Sequence, residues 1–404
     1  MPAIGSLRFQ LDDGFDSGLA LQLVAQPEEE MSEHYGSSHL MTSPSTPYVI
    51  CRFNGAVDES DTVRMGTALL QEALDLHSML GRADLSVKNT KDEYIAWWRN
   101  GTKNTLSFTS TTTFSARVGT PQLVVRDANG DIIPSPVVTP QHHLAFRFFR
   151  QAQVSDDLYD SFRSMYLAFE SLLSSRHPKG NEQEIQWLHR ALNASLVDLQ
   201  LQAICPAGTV DCVPYLLARI YKNARLPLFH AKGGRTYFAP GGNEADRVIV
   251  QSGLSVLAEI VIRMAAAWHS TRRRGGWVNL KLFTAGFRDQ AVGCQVVFSD
   301  EPTDAENLKN EERTTLMAAR GVSTPGSVSE FFDGAPRTNV TASFDVAHLG
   351  GRKGLHAIYV VKDAVPLIGF TPDTVIGVDG LDHIVARVFV QGRNSNQPKT
   401  LFSR

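Results

Sequence analysis

Residues 215–232 read YLLARIYKNARLPLFHAK, and these eighteen positions hold an amphipathic helix, a basic series, a proline and a histidine. At 100° per residue, Leu217, Ile220, Tyr221, Ala224 and Leu228 share one apolar arc, the pattern of a helix with one face in a core. Arg219, Lys222 and Arg225 recur every third residue and predict a basic ridge on another face. In an unbroken helix Arg225 and His230 would lie about 140° apart. Pro227 interrupts that helix. It has no N–H for the carbonyl of Asn223, its ring clashes there, and it disfavours helical geometry at Leu226. The backbone is therefore expected to kink or restart between Arg225 and His230, which can turn the guanidinium and the imidazole toward one site.

The pair suits phosphoryl chemistry. Arginine stays charged and forks onto phosphate oxygens. Histidine titrates near neutrality and relays a proton. Together they can cleave RNA without a metal: the 2′-hydroxyl attacks its own phosphate while the arginine holds the developing charge. A plain structural role, with His230 at a helix C-terminus, fits the same spacing.

Outward from this stretch the helical period continues. Residues 158–175 place Phe162, Met165, Tyr166, Phe169, Leu172 and Leu173 at three- and four-residue intervals. Residues 182–199 hold Trp187, Leu188 and Leu192. A last helix, capped by Asn243 and running to about Arg273, carries Val248, Leu254, Leu257, Ile260, Val261, Met264 and Trp268. Four such helices suit a bundle over residues 142–276.

The segment Arg225-Leu-Pro-Leu-Phe-His230 resembles the arginine–histidine motif of HEPN domains, helical bundles found in many RNase toxins and defence proteins. Residues 146–175, WLHRAL (187–192) and IYKNARLPLFHAKGG (220–234) are similar to ApeA-like HEPN proteins, many of them labelled methylamine-utilisation J-type proteins. The similarity extends upstream over residues 73–99 and thins beyond Arg274. It implies Arg225 as phosphate clamp, His230 as acid/base and Glu170 as an orienting carboxylate; Lys222, one helical step from Arg225, is spaced either for a further phosphate contact or as a plain surface lysine. It also implies RNA as partner, a homodimer formed through the bundle with a composite site, and no cofactor. The chain departs from the motif at Leu226, where catalytic members usually carry a polar residue. A catalytically inactive binding or assembly protein of this fold, and a methylamine-utilisation accessory role, therefore stand beside the nuclease.

The flanks read differently. Residues 1–141 predict a mixed α/β domain. It has strand candidates at LRFQL, LALQLV and YVICRF, a linker at 36–47, a helix capped by Ser60 or Asp61 through Leu80, and buried tryptophans in EYIAWWR. Asn129-Gly130 predicts a type I′ hairpin in LVVRDANGDII. Residues 277–404 predict a β-rich domain through VNLKLF, CQVVF, SFDVAHL, LHAIYVV and HIVARVFV. The fold class is thus α+β, a central bundle flanked by an N-terminal α/β domain and a C-terminal β-rich domain.

Composition sets limits on the chemistry. With 20% charged residues and a formal net charge of −3, the chain is neither disordered nor basic throughout. Residues 219–274 nevertheless hold ten Lys/Arg against three acids, a local excess suited to an anion such as RNA or to solvated helix faces. Four cysteines, Cys51, Cys205, Cys212 and Cys294, make neither a disulfide framework nor a zinc set. No apolar run of membrane-spanning length and no signal-peptide pattern occurs, so a cytoplasmic protein without membrane contact is expected. Gly350–Gly354 lacks the P-loop form, and no GxSxG, HExxH or Rossmann fingerprint is found.

Overall fold

The computed structural model describes residues 1–10, 14–80, 85–88, 93–116, 125–126, 129–130, 132–133, 139–229, 237–239, 244–271, 295–299, 317–318, 322–323, 337–351, 353–362, 365–370, 374–394 and 398–399. It is a mixed α+β structure.

Period-two sequences make the largest element, a nine-stranded sheet. Its order is Val322–Ser323, Arg337–Asp345, His383–Asn394, Lys103–Ala116, Tyr94–Asn100, Ser17–Gln22, Thr46–Phe53, Ser38–Ser43, Met31–Tyr35. Every pairing is antiparallel except that of His383–Asn394 with Lys103–Ala116, which is parallel over twelve residue pairs. The sequence reading divides the flanks into two domains; their strands are hydrogen-bonded to one another in this sheet. Alternation sends successive side chains to opposite faces. Ala20, Ile50, Ile95 and Trp97 enter one core with Val388 and Phe344, whereas Leu19, Leu21, Cys51 and Trp98 enter another. The 94–100 tryptophans are core residues, as expected.

Helix α1 (Glu59–Met79) covers the second core with Leu70, Ala73 and Leu74. Its cap is Asp58, not Ser60 or Asp61; the Asp58 carboxylate accepts the Asp61 N–H at 2.9 Å. Gly66 lets the helix lie close, for a Cβ there would sit 2.6 Å from the Leu19 Cβ. Glu59, in the first turn, accepts from Arg387 (2.6 and 3.2 Å), Tyr94 (2.8 Å) and Ser107 (2.8 Å), joining helix and sheet through both flanks.

Two local expectations change. The 36–47 stretch contains the strand Ser38–Ser43 and a tight return at Ser43↔Thr46 in place of a linker. The 125–133 hairpin forms, but its last pair is Arg126↔Ile132 and positive φ occurs at Gly130 without Asn129, so the turn is not type I′.

The helical region comprises α2 (Ala145–Val154), α3 (Leu158–Arg176), α4 (Glu184–Ala194), α5 (Cys212–Leu217), a π-helical run Ala218–Arg225, α6 (Leu226–Phe229) and α7 (Glu244–His269). One core unites them, including Phe162, Phe169, Trp187, Leu216, Leu254 and Leu257. The Asp157 carboxylate caps α3 through the Asp160 N–H at 2.8 Å, and Ser161 bonds back to the Ala152 carbonyl. The expected cap of α7, Asn243, lies outside the described residues. By length and composition α7 could cross a membrane, but 56% of its apolar window is buried, and its apolar face is a wall of this core. The C-terminal segment ties to this region: Lys399 exchanges backbone bonds with the Gln153 side chain and donates Nζ to the Ser155 carbonyl.

At Pro227 the π-helical run gives way to α6, which starts at Leu226. Leu226 keeps φ −61° and ψ −49°, and its N–H bonds the Tyr221 carbonyl, a π-type step. Gly253 of α7 packs tightly beside this run, where an added Cβ would meet the Ala224 Cβ at 3.0 Å.

Candidate functional site

The π-helical run ends at Arg225 and aims its side chain at α4. There Arg225 Nη2 lies 3.1 Å from Glu184 Oε1, with side-chain exposures of 16% and 23%. Glu184 opens α4 between Gln183 and Gln186, whose side chain accepts the Gln183 N–H at 3.2 Å; an acid is favoured in that first turn by the helix dipole. Its Oε1 accepts from the Tyr166 hydroxyl at 3.3 Å and its Oε2 from Tyr221 at 3.1 Å. The guanidinium also faces the rings of Tyr166, Tyr221 and Phe229 at 5.7, 5.3 and 5.2 Å from their centroids. Phe229 is exposed at 36% and carries Arg163 at 6.0 Å as well.

Glu170 lies one turn beyond Tyr166 on α3. Burial, then the hydrogen bond and charge of Glu184, push its carboxyl up to about 7, against the pull of Arg225 and Lys179. Near neutrality the protonated Glu170 donates to Glu184, and the set of two carboxyls and one guanidinium is electrically neutral. Burial also raises the Tyr166 and Tyr221 hydroxyls, with the glutamates adding to it, so both remain donors. The arrangement can therefore hold one cation rigidly and exchange a proton near pH 7.

A stability consequence follows. Because the folded pKa of Glu170 lies above its ordinary 4.5, its contribution is full below about pH 4.5 and is lost as pH rises through about 7. Glu170→Gln imitates the protonated acid. Relative to wild type it is expected to gain about 1–2 kcal/mol between pH 4.5 and pH 8, after discount for solvent screening at a partly exposed group. Urea unfolding at the two pH values checks this, and equal differences at both would refute it.

Of the four residues singled out from the sequence, the structure brings Arg225 and Glu170 together around Glu184. Lys222 is exposed, and His230 lies outside the described residues. The expected ridge of Arg219, Lys222 and Arg225 is not a ridge: Arg219 bonds Ser252 of α7 while Arg225 turns to α4. Arg247 is buried and Arg263 pairs with Glu259, so among the described residues most of the local positive charge is engaged within the fold. No group of three His, Cys, Asp or Glu suited to a metal occurs among the described residues.

Sequence reasoning missed Glu184, Tyr166 and Tyr221 as a set. Tyr166 and Tyr221 looked like core residues by period, and Glu184 sits in GNEQEIQW, a polar run without distinguishing spacing.

Residues 145–266 match the family model described as "Methylamine utilization protein MauJ". No match was found among curated proteins or among solved structures.

Proposed function

We propose that the helical region is a HEPN-like bundle and that the chain is a metal-independent endoribonuclease. Arg225 clamps the scissile phosphate and His230 acts as acid/base. Glu184 orients the guanidinium, and Glu170, which titrates near neutrality, steadies Glu184. The observation that carries this reading is the fixing of Arg225: an ion pair at 3.1 Å and three aromatic rings hold the guanidinium in one place. Preorganised charge of this kind stabilises a developing phosphorane without reorganisation cost. The partner is RNA, and two copies meet through the helical region so that two motifs face each other.

The test is RNA incubated in EDTA with wild type and His230→Ala. Cleavage is expected to fall at least about 100-fold in the variant, the usual size of a general acid/base contribution. Equal degradation by the two proteins, or none by wild type, would reject the reading.

A second reading has its own support. The carboxylate of Glu184 already neutralises Arg225, and Leu226 follows the arginine where catalytic HEPN members carry a polar residue; both suit an inactive binding or assembly protein of the same fold. An accessory role in methylamine utilisation belongs to this second reading, and the match of residues 145–266 to the family model is its support.

A further inference from the structure

The loop before α5 contains a feature outside the arginine site. Cys205 follows the 3₁₀ turn Leu201–Ile204, Cys212 is the first residue of α5, and their sulfurs lie 2.7 Å apart as thiols. A disulfide bond is about 2.05 Å, so closure needs a shift of well under 1 Å. The intervening residues hold the two cysteines in register. Gly208 turns the chain at φ +86°, Thr209 N–H bonds the Pro206 carbonyl at 3.1 Å, and the Gln202 side chain bonds the Thr209 carbonyl at 2.8 Å. Access differs between them: Cys205 is partly exposed, whereas Cys212 is 4% exposed.

We infer that Cys205 and Cys212 form a reversible dithiol–disulfide site that takes low-molecular-weight disulfides such as oxidised glutathione. The Cys205 thiolate attacks one sulfur of the small disulfide, forming a mixed disulfide and releasing one small thiol. Cys212 then gives its proton to solvent and attacks the Cys205 sulfur, breaking the mixed disulfide and releasing the second small thiol. Two protein thiols are oxidised while one external disulfide is reduced to two thiols. Burial, then the neighbouring Cys205, pushes the Cys212 thiol up to about 12, so closure is the slower step and is faster at pH 9 than at pH 7. The bond staples the start of α5, which leads into the π-helical run that ends in Arg225, to the turn before it. In a glutathione-buffered compartment such a bond is transient, as suits a sensor of oxidation.

The experiment uses the full chain, incubated with oxidised glutathione at pH 8, acid-quenched, alkylated, digested and weighed. The expected product is a linked Cys205–Cys212 peptide pair, reversed by dithiothreitol, with a melting temperature raised by roughly 5 °C over the reduced chain. Cys212→Ser is expected to stop at a glutathione adduct on Cys205. Full alkylation of both cysteines in oxidised wild type, or a wild type that also stops at the Cys205 adduct, would overturn the site.

Discussion

Arg225→Ala is expected to lower the stability of the chain by about 3 kcal/mol at pH 7, because it strips the cation from a carboxylate that is only 23% exposed. Glu184 would keep the Tyr166 and Tyr221 hydroxyls, but its charge would face Glu170 without compensation. The loss also removes packing against three aromatic rings. Relief must come from a proton, so the Glu170–Glu184 pair should hold one to higher pH than in wild type. The double replacement Arg225→Met with Glu184→Leu should recover most of the lost stability, since it removes both charges and fills the space with apolar atoms. Arg225→Lys should fall between them, keeping the charge while losing the fork and the ring stacking. Urea unfolding of wild type, Arg225→Met, Glu184→Leu and the double variant forms a double-mutant cycle that isolates the pair. A single-variant loss below about 0.5 kcal/mol would mean that the ion pair carries no net weight, as exposed pairs often do.

The second large effect lies across the molecule. Arg387→Ala is expected to cost about 3–4 kcal/mol, because its guanidinium supplies the bidentate bond to Glu59 that faces α1 from the His383–Asn394 strand. Burial acts to raise the Glu59 carboxyl, but Arg387, Tyr94 and Ser107 outweigh it and leave the pKa lowered. The sign is therefore opposite to that of Glu170. The Glu59 contribution is present above its ordinary 4.5 and is lost as pH falls through the depressed folded value. Wild type should lose this term on acidification, whereas Arg387→Ala has already lost most of it. Urea unfolding at pH 7 and pH 3 separates the cases, and an equal deficit at both would count against the ion pair as the cause.

The helices were readable because a single period marks them: Phe162, Met165, Phe169 and Leu172 announce α3 without help from the rest of the chain. The strands in YVICRF and HIVARVFV were readable from equally local signals. Their partners were not. Nothing near Thr105 points to His383, and a parallel pairing across 278 residues leaves no turn signature to find. At the site, Arg225 stood out because it neighbours Pro227 and His230. Glu184 did not, since its importance comes from which helix end meets Arg225, a tertiary fact. The π-helical run escaped notice because the apolar arc from Leu217 to Leu228 fits an ordinary helix nearly as well. The cysteines were judged by spacing rules for metals and frameworks, and seven residues is the spacing of neither; a reversing loop supplies the closeness.

The place of His383–Asn394 within the large sheet bears on how the chain is made. This strand sits between Arg337–Asp345 and Lys103–Ala116, so the inner margin of the earlier strands lacks this neighbour until residues 383–394 have left the ribosome. At about 5–20 residues per second, the interval is on the order of 15–55 s. Throughout it, a nascent ribbon with one bare flank is open to pairing with other chains. Nascent chains ending before residue 383 should therefore depend on chaperones, and full-length material should refold slowly, as distant strand partners must find each other last.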